Sequence, residues 1–268
     1  MRPPSDPTSL AAEVLAVFKE RGSLLVLTDF DGTLAPIVEF PESARLPAGA
    51  RRALARLAAR SATRVAVISG RDLADLRGRI NVPDVILAGC HGLIAEGPGF
   101  GFEHPRATAY REQFRQLADD LAAKLQSLRG VQVEAKALGV AVHYRRAPHS
   151  DLAEVFYQVE QARESASPAL TTLAGKKVIE FLPSVPWHKG ECALWLRDRL
   201  GQSLPAEPAT VYLGDDETDE RAFEALRGKG LTIRVGPGHR RSAALRWVKD
   251  VADVQEFLSA LAAGTDAR

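Results

Sequence analysis

Five short runs of leucine and β-branched residues recur along the chain, and each ends in small or acidic residues. They are LLVLTD (24–29), TRVAVISG (63–70), DVILAG (84–89), TVYLGDD (210–216) and LTIRVG (231–236). Near-continuous apolarity of this length predicts strands covered on both faces, as in a parallel sheet. Helical patterns lie between them. PAGARRALARLAAR (47–60) carries Pro47 near its start and apolar residues at 50, 53, 54, 57 and 58, the spacing of one helix face. DLADLRGRI (72–80) opens on Asp72 as N-cap, and KGECALWLRDRL (189–200) and DERAFEALRGKG (219–230) follow the same logic. Strand then helix, repeated, specifies a doubly wound, Rossmann-like α/β domain.

The middle of the chain follows another rule. After EGPGFGFEHP, read as turn, comes a long helical pattern over roughly 106–129. VQVEAK (131–136) and GVAVHYR (139–145) then read as a hairpin across Ala137-Leu138. A helix at about 151–165 and two further strand-like runs, ALTTLA (169–174) and KKVIEFLP (176–183), complete the segment. The expected organisation is therefore a core of residues 1–104 and 186–268 with a smaller α+β unit, 105–185, inserted in it. The first few residues and the terminal GTDAR are expected to be disordered.

Composition narrows the class. At 268 residues, with 46% apolar and 26% charged residues, the chain is ordinary for a globular protein. A net charge of +1 gives no reason to expect nucleic acid or an anionic membrane as partner. The basic pairs Arg51-Arg52 and Arg240-Arg241 read as solvated helix faces. Two cysteines, Cys90 and Cys192, form no metal spacing and point to a reducing compartment. The start has no apolar signal-peptide core, and no apolar run approaches the ~18 residues of a membrane span. The expectation is a soluble, cytoplasmic monomer.

The first run delivers Asp29 and Asp31 to one strand end, one residue apart, followed by Gly32 and Thr33. Period two turns both the same way while Phe30 points into the fold. Like charges this close repel, so the pair needs a cation or a chemical task. The carboxyl edge of an open α/β sheet is where ligands bind, and two other strands bring Ser69-Gly70-Arg71 and Gly214-Asp215-Asp216 there. Four carboxylates at one edge call for Mg²⁺, which binds few carboxylates plus water and substrate phosphate. With a phosphate in place, Asp29 can attack phosphorus and Asp31 can protonate the leaving alcohol, then activate water. Ser69 and the helix start after it can hydrogen-bond phosphoryl oxygens, and Lys189, opening its own helix, can neutralise charge.

DFDGT, ISGR, the Lys189 helix start and GDDETDE resemble, in order, the four motifs of the haloacid dehalogenase superfamily of phosphatases. The finer resemblance is to the trehalose-6-phosphate phosphatases, carried by DFDGTLAPI, AGCHGLIAE, VEAKALGVAVHYR, GKKVIEFLP and YLGDDETDERAF, from about residue 22 to 250. It implies Asp29 as nucleophile, Asp31 as acid/base, and Ser69 and Lys189 as phosphate contacts. It further implies Mg²⁺ on Asp29, the Asp31 carbonyl and Asp215, with Asp216, Gly70 and Arg71 in support. The insert would be a cap closing over a sugar phosphate. Its strands offer Glu134 and Lys136 on one face, His143 and Arg145 on one face of the next, and Glu180 on the last, with His91 near the hinge as a further substrate contact.

Other readings stay beside this one. Asp216 and Asp219 can cap the helix that follows them, and for Asp219 capping is the expected role. His91 and Glu96 can be structural, Cys90 reads as packing, and Trp187, Trp195 and Trp247 read as core. Many members of the family carry a basic residue between the glutamate and the proline of GKKVIE, where this chain has Phe181-Leu182. That keeps sucrose 6-phosphate and glucosyl- or mannosylglycerate phosphates open as substrates. A phospho-receiver switch also uses an acidic cluster, a hydroxyl and a lysine, but it has no second acid two residues on and needs no insert.

Overall fold

The computed structural model describes residues 3–166, 169–237 and 242–266. The chain opens with α1 (Pro7–Arg21), β1 (Leu24–Thr28), α2 (Ala48–Ala58), β2 (Thr63–Ile68), α3 (Leu73–Ile80), β3 (Ile86–Gly89), β4 (Ile94–Gly97) and β5 (Phe100–Glu103). Next come α4 (Pro105–Thr108), α5 (Arg111–Leu125), β6 (Gln132–Lys136), β7 (Gly139–His143), α6 (Leu152–Ser165), β8 (Leu170–Gly175) and β9 (Val178–Pro183). Last are α7 (Lys189–Gly201), β10 (Ala209–Gly214), α8 (Glu217–Ala225), β11 (Leu231–Val235), β12 (Arg246–Val248) and α9 (Val251–Asp266). The chain divides into two compact units, Met1–Phe102 with Trp187–Arg268, and Glu103–Pro186.

The larger sheet has the order β12-β11-β10-β1-β2-β3-β4-β5. All pairs from β12 to β3 are parallel, and β4 returns antiparallel on β3. The mixed α/β class expected from the strand runs is the one observed. Every residue of β1 is buried, because the sheet is covered on both faces. On one face Leu25, Leu27, Ile68 and Tyr212 pack against Cys192 and Leu196 of α7, Phe223 of α8 and Leu226 just beyond it. The other face carries α1, α2 and α9, with α9 packed on both of the others.

Asp72 caps α3 as its position predicts, accepting from the Ala74 amide at 2.9 Å. Other expectations need correction. EGPGFGFEHP is more than a turn: β4 and β5 flank Pro98-Gly99 and extend the sheet edge. The long helix of 106–129 is two, α4 and α5. Among the described residues both ends are helical, while residues 1–2 and 267–268 lie outside the described residues. Asp6 caps α1 through the Ser9 amide at 2.8 Å, and Leu10, Ala11, Val14 and Phe18 are buried at helical spacing. Gly264 belongs to α9, where an added Cβ would meet Leu15 at 2.1 Å, and Thr265 is buried. Arg52 is exposed as expected, whereas Arg51 is half-buried and donates to the carbonyls of Arg79 and Asn81, both at 3.1 Å, closing the end of α3. Arg240-Arg241 lie outside the described residues. Among the described residues no helix is long and apolar enough to cross a membrane.

The second unit is a four-stranded antiparallel sheet, β6-β7-β9-β8, with α5 and α6 on one face. Val140, Val142 and Phe181 point into its core against Phe114, Leu121, Val155 and Val159. Strand alternation then puts Glu134, Lys136, Ala141, His143, Glu180 and Leu182 on the other face.

Candidate active site

The register of β1 with its two neighbours builds the site. Thr28 stands beside Leu213 of β10 and Val67 of β2, so the residues just beyond these strands share one edge. The chain leaves β1 in opposite directions on its two sides, a switch point where a crevice opens. Asp29, Ser69 and Asp215 are brought there together, all buried. A cavity of about 590 Å³ opens at the opposite edge, among Ser61, Arg64, Asp84 and Gln202, and Asp29, Ser69 and Asp215 do not line it.

Asp29 and Asp31 are held by different cations, although period two predicts that they face together. Lys189, the first residue of α7 and 2% exposed, donates to Asp29 Oδ1 at 2.8 Å and Asp219 Oδ1 at 2.9 Å. Its helix starts there because the His188 ring caps it, Nδ1 accepting from the Gly190 amide at 3.1 Å and the Glu191 amide at 3.3 Å. Asp31 instead receives a two-point bond from Arg71, Nε to Oδ2 at 2.6 Å and Nη2 to Oδ1 at 2.7 Å. Ser69 Oγ accepts from the Arg71 amide at 3.2 Å. Beside it Gly70 leaves room for the His91 ring, which an added Cβ would meet at 2.8 Å. Cys90 and His91 both take positive φ, 50° and 58°, a strained pair costing about 1–3 kcal/mol per residue.

Asp216 caps α8, accepting from the Thr218 amide at 2.9 Å and the Asp219 amide at 3.2 Å. Asp219 exceeds its expected capping role. Its Oδ1 accepts from Lys189 and from the Tyr212 hydroxyl at 2.8 Å. Its Oδ2 accepts from the amides of Asp215 at 2.9 Å and Asp216 at 3.1 Å. Asp29, Asp215 and Asp219 place carboxylate oxygens within 4.8 Å of one another. The oxygens of Asp219 are nevertheless engaged by these four partners, which makes Asp29 and Asp215 the carboxylates more open to a cation. Hard, buried oxygens in such a pair fit Mg²⁺.

Electrostatics follow from this crowding. Burial, added to by Asp219, Asp215 and Asp216, holds the Asp29 carboxyl well above the usual range despite Lys189. Burial likewise pushes Asp219 up to about 7. For Lys189 burial acts downward, but Asp219, Asp29 and Asp216 outweigh it and keep it protonated. For Asp216 burial acts upward, and Lys189 with the Thr218 hydroxyl overcomes it, leaving the carboxyl below the usual range.

In the second unit the polar sheet face pairs internally. Lys136 donates to Glu180, and His143 Nε2 lies 2.8 Å from Glu134 Oε2. Burial raises Glu134, but the His143 bond and the Lys136 charge dominate and hold it low. Arg145 does not join them. β7 ends at His143, and the exposed Arg145 donates to the Lys176 carbonyl at 2.7 Å. Glu96 is a surface partner of Arg77 at 2.6 Å. Leu182 stands half-buried on the polar face, opposite Thr171.

Three supporting residues escaped the sequence reading. Tyr212 and Arg234 are polar groups inside buried strands, a signal that each needs a partner. Arg234 donates to the Asp215 carbonyl at 3.1 Å and pairs with Glu220. His188 carried no recognisable signal, since histidine is an uncommon cap.

A switch-point crevice holding these four motif segments in order defines a haloacid dehalogenase-type fold. The family model described as trehalose-phosphatase matches residues 27–252, and the chain belongs to that family. It is 42% identical over 241 residues to the trehalose-phosphate phosphatase of Mycobacterium bovis, covering 88% of this chain and 61% of that protein. The chain thus spans about 61% of the length of that relative. A Mycobacterium tuberculosis protein described as an uncharacterized glycosyl hydrolase is 40% identical over 95% of this chain and 20% of its own length. The solved C-terminal domain of Candida albicans trehalose-6-phosphate phosphatase superimposes with a TM-score of 0.77 at 25% identity, covering 98% of both chains.

Proposed function

We propose that this chain is a Mg²⁺-dependent phosphomonoesterase that hydrolyses trehalose 6-phosphate through a phosphate ester of Asp29. The observation that carries the reading is the buried contact of Asp29 with Lys189 at the carboxyl edge, beside Asp215 and Ser69. Family membership supports the substrate.

Asp29 attacks phosphorus as the bond from phosphorus to the sugar oxygen breaks, and Asp31 gives that oxygen its proton. Asp31, now ionised, takes a proton from water as the water attacks phosphorus, releasing phosphate and restoring Asp29. Lys189 and the Ser69 hydroxyl stabilise charge on the phosphoryl oxygens. Asp29, Asp215 and the Asp31 carbonyl would hold Mg²⁺, which when bound offsets the charge of phosphate and carboxylates. The inserted unit acts as the cap, and Glu134, Lys136, His143 and Glu180 on its polar face hold sugar hydroxyls.

The test is phosphate release with Mg²⁺ from trehalose 6-phosphate, sucrose 6-phosphate, glucosylglycerate phosphate and glucose 6-phosphate. Preference for the first is expected. Preference for another would reject the substrate and keep the chemistry. Asp29→Asn should abolish turnover, and appreciable residual activity would reject the covalent route.

A further inference from the structure

Arg71 makes more contacts than a helix-leading arginine needs. It spends Nε and Nη2 on the two oxygens of Asp31, and Nη2 also donates to the Pro41 carbonyl at 2.9 Å. Nη1 donates to Asp75 Oδ2 at 2.8 Å, and the guanidinium lies 5.4 Å from the centroid of the Phe30 ring. Its backbone is fixed as well, since its carbonyl accepts from the Cys90 amide at 2.7 Å. Asp75 is held in turn by Arg79, Nε at 2.7 Å and Nη2 at 2.6 Å, and Arg79 donates to the carbonyls of Glu42 at 3.0 Å and Ala44 at 2.8 Å. The Arg71 side chain is 12% exposed and that of Asp31 38%. The anchored partner is thus the arginine, and the carboxylate is the accessible member.

A planar guanidinium that meets a carboxylate at two points fixes its plane as well as its distance. We infer that Arg71, braced by Asp75 and Arg79, is a positioning residue that orients the Asp31 carboxyl for proton transfer to and from the reacting oxygen. This rests on the phosphatase reading above. It turns the supporting role of Arg71 into a specific one toward the acid/base residue, and it explains why the two aspartates of DFDGT have separate cations. Lys189 serves the nucleophile, and Arg71 serves the acid.

A purely structural Arg71 would tie the 41–44 segment to α3, and its loss would slow every substrate alike. Positioning of Asp31 predicts a dependence on the leaving group. Release of a sugar alkoxide needs the proton, whereas release of p-nitrophenolate does not. kcat/KM reports the steps up to departure of the alcohol, before water attacks, so it isolates the proton donation. The experiment compares kcat/KM for trehalose 6-phosphate and p-nitrophenyl phosphate in wild type, Arg71→Lys, Arg71→Gln, Asp75→Asn and Asp31→Asn, each checked for folding by circular dichroism. Arg71→Lys and Arg71→Gln should lose roughly 10–100-fold on the sugar phosphate and at most about threefold on the aryl phosphate. Asp75→Asn should show the same selectivity in weaker form, and Asp31→Asn the strongest. Equal losses on both substrates, or no loss, would overturn the inference. If Arg71→Gln does not fold, Arg71→Lys and Asp75→Asn decide by the same ratio. A wild type inactive on both phosphates would instead reject the trehalose 6-phosphate reading, and Asp31→Asn without selectivity would reject Asp31 as the acid on which the inference rests.

Discussion

Three carboxylates and one ammonium share the space around Lys189, and that imbalance has a measurable consequence. Without metal, the raised Asp29 and Asp219 carboxyls retain protons that an unfolded chain would have released. Their contribution to stability is therefore present at low pH and is lost as pH rises through about 7 for Asp219. A divalent cation binds the deprotonated cluster and must expel those protons. Mg²⁺ should accordingly raise the melting temperature more at about pH 8 than at about pH 6, with proton release on binding. Scanning calorimetry and titration calorimetry in buffers of different ionisation enthalpy measure both. A Mg²⁺ effect independent of pH would show that the cluster is fully ionised beforehand.

At the scale of elements, two turns set the position of the carboxylates. After β1 the chain reverses at Gly32, where φ is 83° and an added Cβ would lie 2.2 Å from Asp215 Oδ2. Gly32→Ala should therefore displace Asp215 and remove both activity and stabilisation by Mg²⁺, while circular dichroism stays near wild type. Retained Mg²⁺ stabilisation in that variant would refute the placement. After β10 the reciprocal caps of Asp216 and Asp219 start α8 and fix the Asp215 amide. Removing the Asp216 cap by Asp216→Ala should cost about 0.5–2 kcal/mol, read from urea denaturation. The Asp216 and Asp219 positions were legible as a D-x-x-D helix start. That Asp219 also anchors Lys189 was not, because helix-start statistics say nothing of a group on another helix.

At the scale of the whole molecule, each unit has a core of its own. One is centred on Phe181, Phe114 and Leu121, and the other includes the sheet faces and Phe257 of α9. Calorimetry of the intact chain should resolve two transitions. Phe181→Ala should lower one and Phe257→Ala the other, each by about 3–5 kcal/mol in the affected unit. A single transition shifted equally by both would contradict independent cores.

Strand runs, Asp72 as a cap, the four motif segments and the separate α+β character of the middle are local patterns of period and composition, and the sequence alone determined them. The packed ends were equally local, since Asp6-Pro7 and the apolar spacing of 254, 257, 258, 261 and 262 mark α1 and α9. Only the reading of the ends as tails concealed them. The tertiary structure alone decided which cation meets which aspartate. Lys189 is 160 residues from Asp29 and Arg71 is 40 from Asp31, so strand order and register choose the partners. It also decided that Arg145 leaves the polar face and that Asp219 is engaged by four partners at once. Spacing along a chain fixes the face a side chain occupies, but a buried charge is assigned by the groups that the fold brings within hydrogen-bond reach.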